Sequence, residues 1–389
     1  MALKELCVVA VLLAVCHADR DRLQLNRVPV STSQQQDENN SEDAVEKAVA
    51  VAARLSSPHY LRRRATTVMM DEFNSGHIDM HKWKHTINAG WWGNRHQAQM
   101  YTPEPVNTYV RNGVLYIRPT LTEDTFGEGF LRNGNLDVVG HWGSCDNGIC
   151  HAQGWNSIAP IMSGMLRSRA HIRFGRVEIV AKLAVGDWLY NALWMMPIAN
   201  TYGNWPASGE IDIMENAGNR RLLGINDHSA GIDMILCSLV YGSDRQDNFR
   251  HEMKSYNIPH GTFGSAFHTF WVDWTEQHIT IGVDSHTVFT KNTPQQGYFS
   301  ASHQHGQNPW THGGHSAPFD SQFNLIMNVH VAGNPFENNN WHNHPYERPW
   351  DPTSPDQMMQ FWNARHLWEP TWHGETAAMQ IRSVKMQQY

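Results

Sequence analysis

The feature that most constrains this chain is the run Gly209-Glu210-Ile211-Asp212-Ile213-Met214-Glu215-Asn216. Three carboxylates and three apolar side chains share six positions. In a strand, alternate side chains share a face, so Glu210 and Asp212 point together while Ile211 and Ile213 point the other way. A regular strand would then send Glu215 to the apolar side. One extra residue near Ile213 or Met214, a β-bulge, returns it to the face of the other two acids. Three like charges in a row are costly unless they have a use. The use that fits is two-carboxylate chemistry on a glycosidic bond.

Around this run the chain reads as all-β. Tyr109 to Ile117 predicts a hairpin turning at Asn112-Gly113. Arg176–Lys182 partly alternates, Phe270–Trp274 and Ile279–Val283 read as a strand pair, and Asn324–Val331 as a further strand. Many short strands separated by turn signals predict a sandwich or jelly roll. One helical pattern stands out, Ser354 to Trp368, with Ser354 as the expected N-cap and Pro355 at the first helical position.

The first 64 residues are of a different kind. Residues 1–18 predict a secretory signal peptide: Lys4, an apolar run from Leu6 to Cys16, then small residues around Ala18. That run is too short to span a bilayer. Residues 19–64 are polar and end at Arg62-Arg63-Arg64, reading either as a propeptide or as a disordered linker. Residues 65–389 read as one globular domain. The net charge of −7 and the absence of a basic stripe argue against a nucleic-acid partner. The expectation is a secreted, extracellular monomer with no membrane partner.

With signal residues set aside, three cysteines remain. Cys145 and Cys150 flank a turn-forming Asp-Asn-Gly and predict a local disulfide, leaving Cys237 as a buried thiol. The histidine-rich loops around His303 and His342 lack a third ligand at regular spacing, so no metal site is expected. Sixteen tryptophans are enough to supply both core packing and flat platforms for sugar rings.

From Trp205 to Glu215 the sequence resembles glycoside hydrolase family sixteen, and within it the invertebrate branch of endo-1,3-β-glucanases and β-glucan-binding recognition proteins. Asp71-Glu72-Phe73-Asn74, the hairpin through Asn112–Thr120, Gly186-Asp187-Trp188-Leu189 and Ala317-Pro318-Phe319-Asp320 fall in the family's order. The resemblance implies a jelly roll of two curved antiparallel sheets with the acidic strand lining a concave cleft. It implies Glu210 as nucleophile, Glu215 as general acid/base and Asp212 between them. It suggests Asn94, Arg176, Trp188, Trp194 and Trp205 as substrate contacts and β-1,3-glucan as the substrate. Three positions depart from the family pattern. Val180 replaces a second cleft arginine, and Val240 replaces a histidine. Arg382 replaces an aspartate, which disfavours the structural calcium of some members. No cofactor is required. The leading expectation is a retaining endo-1,3-β-glucanase. The alternatives are a non-catalytic glucan-recognition protein and a lectin-like sandwich.

Overall fold

The computed structural model describes residues 65–90, 97–146, 148–155, 157–245, 248–333 and 336–389. The expected leader (1–18), the polar segment (19–64) and Asn94 lie outside the described residues. Strands account for 40% of the chain and helices for 13%, and the fold is an all-β jelly roll.

One sheet carries the acids. Its seven strands are β1 (Trp83–His85), β2 (Met165–Ile172), β3 (Leu189–Pro197), β4 (Glu210–Ala217), β5 (Met234–Tyr241), β6 (Arg250–Asn257) and β7 (Phe323–Val331). They are antiparallel in the order β6-β5-β4-β3-β7-β2-β1, which places the acidic strand near the middle. The second sheet runs His286–Asn292, His278–Val283, His268–Trp274, Gly175–Lys182, Met379–Gln388, Val114–Ile117, Thr108–Arg111, with Thr66–Asp71 also pairing on Met379–Gln388. The hairpin turns at Asn112 and Gly113 with φ of 52° and 71°, the left-handed pair that an Asn-Gly turn supplies.

Alternation explains the core. On Gly175–Lys182, Val177, Ile179 and Ala181 are fully buried, while Arg176, Glu178, Val180 and Lys182 are turned away from the apolar layer. Ile211, Ile213, Leu239, Leu193 and Leu325 meet them from the acid-bearing sheet. At about 1.5–3 kcal/mol for each large apolar side chain buried, this shared layer fixes which face each strand presents.

A smaller apolar cluster gathers Leu131, Leu136, Val138 and Ala152 beside Met100 and Met162. It contains the Cys145–Cys150 disulfide, with Cα atoms 5.7 Å apart, and Cys237 is a buried free thiol, both as expected. The predicted helix is shorter than its pattern. It spans Gln357–Asn363 and resumes at Arg365–Trp368, with Asp356 rather than Ser354 at the cap. The Ser354 hydroxyl instead accepts from the Asp356 N–H (3.1 Å) and the Gln360 amide (3.2 Å), closing a turn ahead of the helix. Short helices at Thr122–Phe126, Phe130–Asn133, Val138–Trp142 and Gly297–Ala301 carry too few turns for a periodic signal.

Candidate active site

The bulge forms in β4. Against β3, Leu193 faces Met214 and Trp194 faces Asp212, so Ile213 is skipped. Against β5, Asp212 faces Ser238 and Glu215 faces Leu236: three steps on one strand against two on its neighbour. Ile213 and Met214 are both fully buried in the apolar layer. The pattern of the run dictates this outcome. A regular strand would expose Met214, forfeiting about 1.5–3 kcal/mol. It would also drive Glu215 into hydrocarbon, where an unpaired carboxylate costs several kcal/mol more. The Cys237 thiol donates to the Ile213 carbonyl at 3.3 Å, so the carbonyl inside the bulge has a partner.

Glu210, Asp212 and Glu215 therefore share one face. Gly209, immediately before them, has φ +81°, and a Cβ there would lie 3.1 Å from the Phe319 ring, so only glycine fits the entry to the strand. Trp205, on the preceding loop, donates its indole N–H to Glu210 Oε2 at 2.5 Å. The Ser238 hydroxyl donates to Asp212 Oδ2 at 2.5 Å.

All three acids hold protons more tightly than usual. Burial raises Glu215 to about 8, with help from the Asp212 charge. Burial also raises Asp212 to about 6, opposed by the hydrogen bonds from Ser238 and Glu210. Glu210 is pushed well above the carboxylate range by burial, then by Asp212 and Glu215, and only the Trp205 N–H opposes the rise. The row thus holds protons at neutral pH and ionises first at Asp212. A carboxyl that stays protonated near pH 7 is what a general acid requires.

The sugar-contact candidates separate. Trp194 stands beside Asp212 on the acid face, and its indole donates to Asn328 Oδ1 at 2.7 Å. Trp205 is at the site, but as a clamp on Glu210. The Arg245 guanidinium covers its ring at 4.7 Å and Phe249 leans on it at 5.5 Å. Trp188 is not at the surface. It is 1% exposed, packed edge-on against Phe336 and Trp350. Its left-handed φ of +68° folds the ring inward at the start of β3.

Arg176 lies in the other sheet, facing away from the core, with its guanidinium on Glu178 (2.9 Å), Asp273 (3.5 Å) and the Trp271 ring (4.7 Å). The expected cleft contact is therefore absent there, because alternation on Gly175–Lys182 turns Arg176 to that sheet's outer side. Val180 shares that outward position, so its departure from the family pattern falls outside the acid face. Arg382 is on the second sheet as well, 4.0 Å above Phe267.

Two residues on the acid face carry no signal in the sequence. Arg167 lies in the cross-sheet row Asp212–Trp194–Ile326–Arg167, three strands or roughly 14 Å from Asp212. Its part-buried guanidinium has no hydrogen bond or ion pair among the described residues. His251 on β6 lies opposite Val240, which lies opposite Glu210. One His251 ring nitrogen and one oxygen each of Asp212 and Glu215 lie within 4.8 Å of one another. Apart from this trio, no three His, Cys, Asp or Glu groups among the described residues converge so closely.

The family follows from the chain's relatives. Residues 152–309 match the model for glycosyl hydrolases family 16. A β-1,3-glucan-binding protein of Penaeus monodon is 34% identical over 82% of this chain and 89% of its own length. The chain belongs to glycoside hydrolase family 16. A glucan endo-1,3-β-glucosidase A1 of Niallia circulans is 32% identical over 69% of this chain, which spans about a third (34%) of that longer protein. The catalytic domain of a Thermotoga petrophila laminarinase matches the fold, with a TM-score of 0.53 at 21% identity over 84% of this chain and 98% of its own.

Proposed function

We propose that this protein is a secreted endo-1,3-β-glucanase that cuts laminarin-like glucans with retention of configuration. The observation that carries the reading is the bulge that brings Glu215 back to the face of Glu210 and Asp212. Glu210 attacks the anomeric carbon in its ionised form, after releasing to solvent the proton that burial and its acidic neighbours favour; the Trp205 N–H is the contact that favours this ionised form. Glu215 gives its proton to the leaving glycosidic oxygen. Water then attacks the glycosyl-enzyme, Glu215 takes the water's proton, and Glu210 departs as the leaving group. The route needs the two carboxyls about 5–5.5 Å apart, and it needs no cofactor. Asp212, the first of the three to ionise, keeps the proton on Glu215 by its charge. Trp194 offers an aromatic face beside the acids and Arg167 a cationic donor farther along the face. Both suit a neutral, hydroxyl-rich chain.

The test is release of reducing ends from laminarin by the secreted protein, abolished by Glu210→Gln. Wild-type protein that releases none between pH 4 and 8 overturns the reading. A second reading, glucan binding without turnover, draws on Val240, which leaves an apolar side chain beside Glu210, and on the glucan-binding name of the shrimp relative. Retention on insoluble β-1,3-glucan without product would select it.

A further inference from the structure

His251 is foreign to the motif that defines the site, yet it reaches into it. It lies on β6, the edge strand, two strands away from the acids. Its register partner Val240 is 4% exposed and offers no polar atom on its side chain. The imidazole therefore leans along β5, and its Nε2 meets Ser238 Oγ at 3.1 Å. Ser238 has a single hydroxyl hydrogen, and that hydrogen goes to Asp212. The oxygen can only accept from the ring, so Nε2 carries a hydrogen and the neutral tautomer is assigned. The result is a directed chain: His251 Nε2–H to Ser238, Ser238 O–H to Asp212.

We propose that His251 is a positioning residue for the proton-transfer acids, acting on Asp212 through the Ser238 hydroxyl. The proposal rests on the hydrolase reading for its catalytic consequence, though not for its electrostatic one. Without His251 the Ser238 hydroxyl is free to turn, and its hydrogen bond to Asp212 is no longer enforced. Asp212 ionises less readily, so its charge no longer holds the proton on Glu215. The groups facing the imidazole are few. From β4 they are Glu210, Asp212 and Glu215; from β5, Ser238 and Val240; and from the residue just before β6, the Phe249 ring at 6.4 Å. In the preceding loop Arg245 lies on Trp205. Glu252 with Lys291, and Tyr256 stacked on His286, belong to the opposite face of β6. The relay also supplies a polar partner in the row where the family's usual histidine is replaced by Val240.

The test compares the wild type, His251→Ala, His251→Gln and Ser238→Ala on laminarin across pH. His251→Ala lowers kcat roughly tenfold with little change in KM. It also moves the basic limb of kcat/KM about one pH unit toward acid, because Glu215 loses its proton earlier. Ser238→Ala does the same, and the double variant adds nothing further. His251→Gln, whose amide can still donate, recovers most of the profile. An unchanged basic limb in His251→Ala, or a rise in KM alone, overturns the proposal. A wild type without turnover sinks the glucanase reading but not this one. Carbon-13 NMR titration of the Asp and Glu side chains then reads the acids directly. A higher Asp212 pKa and a lower Glu215 pKa in His251→Ala support the relay, and identical titrations in the two proteins overturn it.

Discussion

β4 and Gly175–Lys182 are both alternating strands with charges on one face and aliphatic residues on the other, yet they carry those charges in opposite ways. On Gly175–Lys182, Arg176 is met by Glu178, Asp273 and the Trp271 ring. Charge there is neutralised locally, as on an ordinary solvated surface. On β4 three acids stand in a row, and besides the hydrogen bond between Glu210 and Asp212 they receive an indole N–H and a hydroxyl. The fold tolerates the repulsion by keeping protons on the row, with Asp212 the first to ionise. Charge left uncompensated in a half-buried row is a reservoir of proton affinity, and that separates a reactive face from a merely polar one.

The widest gap between the two strands is in turnover. Glu210→Gln should lower laminarin hydrolysis by at least about 10³-fold, while Arg176→Ala should change kcat/KM by less than about twofold. Comparable losses in both would erase the contrast. Trp205→Phe removes the donor that favours ionised Glu210. A hydrogen bond to a charged group is worth about 1.5–3 kcal/mol, so kcat should fall about 10- to 100-fold. The Glu210 pKa should rise with it, carrying the acidic limb of the pH–rate profile toward higher pH. A profile that merely scales down would show that the indole only packs. Arg167→Ala should raise KM for laminarin several-fold while leaving kcat near wild type, as expected for a lone donor to sugar hydroxyls. An unchanged KM would remove Arg167 from the binding face.

The smallest effect is in stability. Glu215 titrates at about 8 in the folded chain against 4.5 as its ordinary value. Its contribution to stability is full below about 4.5 and is lost as pH rises through about 8. Glu215→Gln escapes that loss. Its Tm relative to wild type should therefore be about 5 °C higher at pH 8 than at pH 5. A pH-independent difference would mean that the carboxyl is not held protonated.

The bulge was readable because Ile211, Ile213 and Met214 all demand the core, and no unbroken period of two satisfies them together. Arg176 misled because alternation shows that a residue faces away from the core without showing which sheet carries it. Trp188 misled for a related reason: a Gly-Asp-Trp turn says where the chain bends and not which way the ring falls. His251 was out of reach, since β5 pairs with β6 across the residues between Tyr241 and Arg250, and no local pattern encodes that register. Trp205 was found at the right place with a different task, its N–H rather than its ring face being committed to Glu210.

The slip in β4 also governs how this stretch can vary. Side-chain substitutions at Ile213 or Met214 would alter volume and cost stability by degrees. A change of chain length by one residue between Asp212 and Glu215 would act on parity instead. Glu215 would turn inward, and Asn216 would lose its hydrogen bonds to the Met234 carbonyl (2.7 Å) and the Asn191 amide (3.0 Å). Length in this interval is thus an all-or-none variable, and related sequences that keep the reaction should vary in lettering there but not in count.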